Sequence, residues 1–145
     1  VTDEKPSRDA IRRLLVDSTT IAVVGASSNP ARPSHGIMQK LIAAGYRVVP
    51  VNPNEADVLG QRAYKTLANI PVPIDIVNVF RRPEHTPAVA DEAVAIEAKA
   101  LWLQSGIWSD DAAARARAGG LIVIMDECIG VEHSLLGVPL KSRAG

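Results

Sequence analysis

The sequence predicts an α/β fold, a doubly wound parallel sheet of five strands with helices on both faces. Three observations carry the prediction. Short, nearly all-apolar runs alternate with stretches of helical periodicity; turn residues separate them; and no linker or internal repeat interrupts the alternation. At 145 residues the chain has the usual size of one domain and can bury a core without metals or disulfides. Residues 1–145 are read as that single domain, with its core at about 8–136.

Ser7 is placed to cap a first helix, on which Ile11, Leu14 and Leu15 share a face. Thr20 to Val24 is a continuous apolar run ending at Gly25, as expected of a strand buried on both faces. From Ser34 to Ala44, Ile37, Met38, Leu41 and Ile42 recur at helical spacing, and Gly45 supplies a stop. Tyr46 to Val51 reads as a second strand, closed by Asn52-Pro53-Asn54. Ala63 to Ile70 predicts a short helix before the turn at Pro71-Val72-Pro73, and Ile74 to Phe80 a third strand. Thr86-Pro87 reads as an N-cap followed by proline at the first helical position, with Val89, Ala93 and Val94 facing inward. Ala100 to Leu103 is a fourth strand, Ser109 caps an alanine-rich helix reaching Gly119-Gly120, and Leu121 to Met125 is a fifth strand. The rest reads as irregular, with one turn near Glu132 to Leu136. The order is Rossmann-like.

Composition removes several classes of function. The formal net charge is zero, which argues against attachment to nucleic acid through an overall positive field. Only 3% of residues are aromatic, too few to stack a single strand of bases. No apolar run approaches the ~20 residues that span a membrane. The single cysteine, Cys128, and the lack of a secretory pattern at Val1 to Pro6 lead us to expect a cytoplasmic protein.

In open parallel sheets, ligands lie beyond the carboxyl ends of the strands. The segments leaving those ends are 25–34, 52–54, 81–83, 104–107 and 126–128, and they concentrate the small, polar and cationic residues. Gly25 permits a tight turn, while Ala26 and Ser27 keep it thin enough for a phosphate to reach the backbone. Ser27, Ser28 and Ser34 offer hydroxyls, the helix near Ser34 directs its positive end outward, and Arg32 adds a charge. A dinucleotide fingerprint would need glycines where Ser27 and Pro30 stand. Asn52 replaces the acidic residue that binds the ribose of NAD, so a ligand with a phosphorylated ribose is favoured. Coenzyme A and NADP both qualify.

Taken in order, Gly25-Ala-Ser-x-x-Pro-x-Arg-Pro-Ser34, Gly45 to Pro53, Asp75 to Arg82, Trp102 to Gly106 and Met125-Asp-x-Cys128 resemble the small stand-alone CoA-binding proteins. Their domain is similar to the nucleotide-binding domain of the succinyl-CoA synthetase α subunit. The resemblance implies that the Gly25–Ser34 turn, with Pro30 in it, holds the pyrophosphate. It implies Asn52 and Pro53 on the adenosine side, Phe80 and Arg81 bordering the nucleotide, and Gln104 and Gly106 along the pantetheine arm. Arg32, Arg81 or Arg82 would meet the 3′-phosphate. Relatives often carry a basic residue where Glu127 stands here, which weakens a phosphate role for that segment.

No residue set reads as catalytic. His35 opens a helix, His85 sits in a loop, and His133 follows Cys128 by five residues, a spacing that makes a poor nucleophile–base signature. Cys128 reads as a buried structural cysteine, with a mixed disulfide to the thiol of CoA as the rival reading. Asp126, Glu127, Cys128 and His133 lack zinc-like spacing, so no metal is expected. The expected function is to hold CoA or an acyl-CoA as a binding, sensing or carrier module. The alternatives are an NADP-binding oxidoreductase or redox sensor, and a component of an acyl-CoA synthetase that needs a partner subunit. No protein partner is identified by the sequence.

Overall fold

A computed structural model describes residues 5–142. The Ser7 hydroxyl accepts the Ala10 N–H and starts α1 (Arg8–Asp17), which buries Ile11, Leu14 and Leu15. Next come β1 (Thr20–Val24), α2 (Pro33–Ala43), β2 (Arg47–Val51) and a small antiparallel hairpin, β3 (Asp57–Val58) with β4 (Gln61–Arg62). β5 (Ile76–Val79), α3 (Thr86–Ala95), β6 (Ala100–Leu103), α4 (Asp110–Ala118), β7 (Ile122–Ile124) and α5 (Ile129–Leu135) complete the order.

The main sheet has five strands, all parallel, in the order β2-β1-β5-β6-β7. This is the doubly wound arrangement expected from the sequence. Its two faces follow the pleat of each strand. Ala22, Val24, Val77, Val79, Leu101 and Leu103 face α3 and α4, whose inner residues include Val89, Ala93 and Ala116. Ile21, Val23, Ile76 and Trp102 face the opposite layer, where Leu15, Met38 and Ile129 come from α1, α2 and α5. Two buried polar groups in this second layer are satisfied by main chain: the Trp102 Nε1–H donates to Glu127 O (2.8 Å) and the Tyr46 hydroxyl to Leu15 O (2.5 Å). Burial pushes the Tyr46 phenol up to about 12.

At the amino ends of the strands, Asp75 Oδ2 accepts the N–H groups of Thr19 (2.8 Å) and Thr20 (3.0 Å). Burial alone would raise this carboxyl. Those two amides and the Lys99 ammonium outweigh it and hold Asp75 below the usual carboxylate range.

Three expectations are corrected, and one element, a small hairpin, was not anticipated. The helix expected over 63–70 is absent. Tyr64 instead extends along the open edge of β2, with its N–H on Pro50 O and its carbonyl accepting the Asn52 N–H, and only Leu67–Asn69 makes a helical turn. The β3–β4 hairpin was not anticipated; its turn residues Leu59 and Gly60 both have positive φ, as a type I′ turn requires. Thr86 does not cap α3. Its hydroxyl donates to Pro83 O within a preceding 3₁₀ turn, and Thr86 is itself the first helical residue. Finally, 129–135 is a helix and not irregular, because Gln104 Oε1 accepts the Ile129 N–H (2.9 Å) from across the fold.

Candidate functional site

Val24 pairs with Val51 on one side and Val79 on the other, so the chain leaves β1, β2 and β5 at one level. The connections after β1 and β5 diverge to opposite sides, which makes their border the switch point of the sheet. Gly25 stands there with φ +89°. A Cβ on it would lie 2.5 Å from the Phe80 carbonyl oxygen, so both backbone shape and space require glycine.

A cavity of about 600 Å³ opens over this border. Gly25 lies over β1, and Arg32, Ser34 and Ile37 belong to the start of α2. Phe80 and Arg81 follow β5, Gln104 and Ile107 follow β6, and Cys128 closes the far side. No side chain caps α2: Arg32 occupies the cap position with only its main chain bonded, its carbonyl accepting the His35 N–H, and Pro33 contributes no N–H. The positive end of that helix, with Arg32 and Arg81, therefore faces the cavity. An anionic group fits this polar edge, and the apolar sides of Ile37, Phe80 and Ile107 fit a longer uncharged arm.

Of the residues singled out from sequence, Gly25, Arg32, Ser34, Phe80, Arg81 and Gln104 are brought together in the wall. Others shape the loops. Ala26 is fully buried, and the Ser27 hydroxyl accepts the Asn29 N–H (3.0 Å). Asn52 donates from Nδ2 to Ala26 O (2.8 Å) and accepts the Asn54 N–H at Oδ1 (2.8 Å), so its side chain fastens the β2 loop to the glycine turn. The Gly106 N–H donates to Asp126 Oδ1 (2.6 Å), tying the β6 loop to the β7 loop. Pro30, Pro53 and Arg82 are exposed and lie outside the cavity wall.

Sequence reasoning missed Gly36 and Ile37; it placed the segments 104–107 and 126–128 at this edge of the sheet without singling out Ser105 or Ile107, and Cys128, read as a buried structural cysteine, is half-buried in the wall. Ile37, read from sequence only as one of four apolar residues at helical spacing, packs partly against the core and also reaches the cavity from the first turns of α2. Glu55 was missed as well. Its carboxylate accepts the Ser28 N–H (2.8 Å) and the Ser28 hydroxyl (2.9 Å), and its only signal was an acid four residues past a strand.

Cys128 and His133 do not come together as a pair. Cys128 lines the main cavity, whereas His133 lines a second one of about 430 Å³ beside Lys40. His133 is edge-on to Tyr46, its Nε2 has no hydrogen-bond partner, and burial followed by Lys40 and Lys141 lowers its pKa. Among the described residues there is no group of three or more His, Cys, Asp or Glu placed to hold a metal. None of their helices is long and apolar enough to cross a membrane.

The model of a family described as "CoA binding domain" matches residues 19–134. The chain is 42% identical over 132 residues to the uncharacterized protein YneT of Bacillus subtilis, covering 91% of this chain and 98% of that one. It is 31% identical over 84 residues to the α subunit of an ADP-forming acetate–CoA ligase of Pyrococcus furiosus, which is 54% of this chain and 18% of that subunit. A hypothetical protein from Pyrococcus horikoshii has a similar solved structure, with a TM-score of 0.88 and 34% identity over 90% of this chain and 92% of its own.

Proposed function

The chain belongs to the CoA binding domain family, and from that membership we propose that it holds coenzyme A or an acyl-CoA across the carboxyl ends of β1, β5 and β6. The pyrophosphate lies against the open end of α2 beside Arg32. The pantetheine arm runs past Phe80, Gln104 and Ile107 toward Cys128; the family resemblance, not the cavity wall, puts the adenosine on the β2 side near Asn52 and Pro53. The protein acts as a binding, sensing or carrier module and carries out no catalysis of its own.

One observation carries this reading: an uncapped helix start with two arginines opens into a cavity whose remaining wall is largely apolar. Calorimetric titration with CoA, dephospho-CoA, NADPH and NADH tests it. CoA is expected to bind most tightly. Tighter binding of NADPH would shift the reading to an NADP-dependent protein.

A second reading rests on the match to the acetate–CoA ligase α subunit. In that reading the chain presents CoA to a partner subunit bearing the synthetase chemistry. Co-purification of a nucleotide-grasping subunit, with CoA-ligase activity only in the mixture, supports it.

A further inference from the structure

The side of the cavity away from Arg32 carries two groups with unused chemistry. Cys128 is a free thiol, half-buried in the wall, and as the only cysteine of the chain it has no internal partner for a disulfide. Gln104 lines the same wall and is only 4% exposed. Its Oε1 accepts the Ile129 N–H at 2.9 Å, which fixes the orientation of the amide and ties it to the residue next to Cys128. The Nε2–H donors of that amide meet no acceptor among the described residues. A donor so deeply set in a cavity wall is satisfied when a ligand brings it an acceptor. The α2 end repeats the pattern: Ser34 lines the cavity at 3% exposure, and its hydroxyl has no hydrogen bond among the described residues.

We propose that Cys128 is a thiol–disulfide exchange site, at which one half of CoA disulfide is captured as a mixed disulfide with the protein. The inference rests on the CoA reading above and assigns a reaction to that same site. The pantetheine arm ends in an amide, two methylenes and the sulfur. An amide carbonyl that accepts from Gln104 Nε2 therefore delivers the sulfur beside Cys128, the residue before the one Gln104 holds. In the exchange, the Cys128 thiol gives its proton to solvent and Sγ attacks the near sulfur of the bound disulfide. The S–S bond of the disulfide breaks, the Sγ–S bond forms, and the second CoA leaves as a thiolate that takes up a proton. Cys128 is oxidised and the departing CoA is reduced, so no other oxidant is required. The half-exposure of Cys128 leaves the second half of the disulfide a way out to solvent. His133 lines the other cavity, so the advantage of this site comes from holding the disulfide against the thiol and not from a paired base.

The test incubates the full chain with CoA disulfide or with glutathione disulfide at equal concentration and follows adducts by intact mass. Calorimetry with reduced CoA is run in parallel. One CoA adduct per chain is expected, removed by a reducing thiol, absent in Cys128→Ser, and formed at least about tenfold faster than the glutathione adduct. Gln104→Glu keeps an oxygen for the Ile129 N–H but lacks the N–H donors; in it the ratio of the two rates should fall about tenfold. Should that variant fail to fold, the two rates in the unmodified chain decide. No CoA adduct, or equal rates for the two disulfides, while reduced CoA binds, overturns the exchange site and leaves the CoA reading intact. If reduced CoA does not bind and CoA disulfide shows no advantage, the CoA reading falls and the inference falls with it.

Discussion

Gly25 and Phe80 are locked together by backbone. The Phe80 N–H donates to Val24 O at 2.8 Å, and the Phe80 carbonyl oxygen occupies space 2.5 Å from where a Cβ on Gly25 would stand. Gly25→Ala therefore forces the ends of β1 and β5 apart while also straining a φ of +89°. It should cost ~2 kcal/mol or more of stability and abolish CoA binding, as read by denaturant unfolding and calorimetry. Full affinity in this variant would mean that the switch point is not the binding crevice.

Arg32 and Arg81 are exposed residues of the cavity wall. Replacing either by alanine should leave the thermal midpoint nearly unchanged and weaken CoA binding by ~1–3 kcal/mol, the range for a lost charge-assisted hydrogen bond. The loss should shrink as salt is raised.

Cys128 is the only cysteine of the chain and part of the same wall. Saturating CoA is expected to slow its alkylation by iodoacetamide, followed by intact mass. An unchanged rate would show that the bound ligand does not reach this side of the cavity.

Asp75 lies at the far end of the sheet and reports on stability alone. Its folded pKa is depressed below the unfolded value, so its contribution is complete above the ordinary carboxylate range and is lost as pH falls through the folded pKa. In Asp75→Asn the melting temperature should be lower than that of the parent at neutral pH, and the two curves should converge in acid. CoA affinity should not change.

The sheet was legible because each of its strands is a short apolar run bounded by turn residues, and the parallel order follows from the intervening helices. The glycine turn and its arginine were legible for the same local reason. The hairpin at 57–62 and the Thr86 turn are local and were misread, whereas the other elements that escaped depend on partners distant in sequence. Tyr64 is strand-like only because β2 offers an open edge, and α5 begins where it does because Gln104 reaches Ile129 from 25 residues away. Glu55 escaped similarly: its meaning comes from Ser28, 27 positions earlier, and no periodicity records that contact.

The common register of Val24, Val51 and Val79 has one more consequence. Because three loops set out from a single level of the sheet, their exposed tips can vary without disturbing the strand pairing below. Substitutions at exposed positions of those loops alter which molecule is retained, substitutions below them alter whether the chain folds, and only at the roots of the loops, as at Gly25, are the two joined. Ligand choice and architectural integrity can thus diverge independently in descendants of this domain.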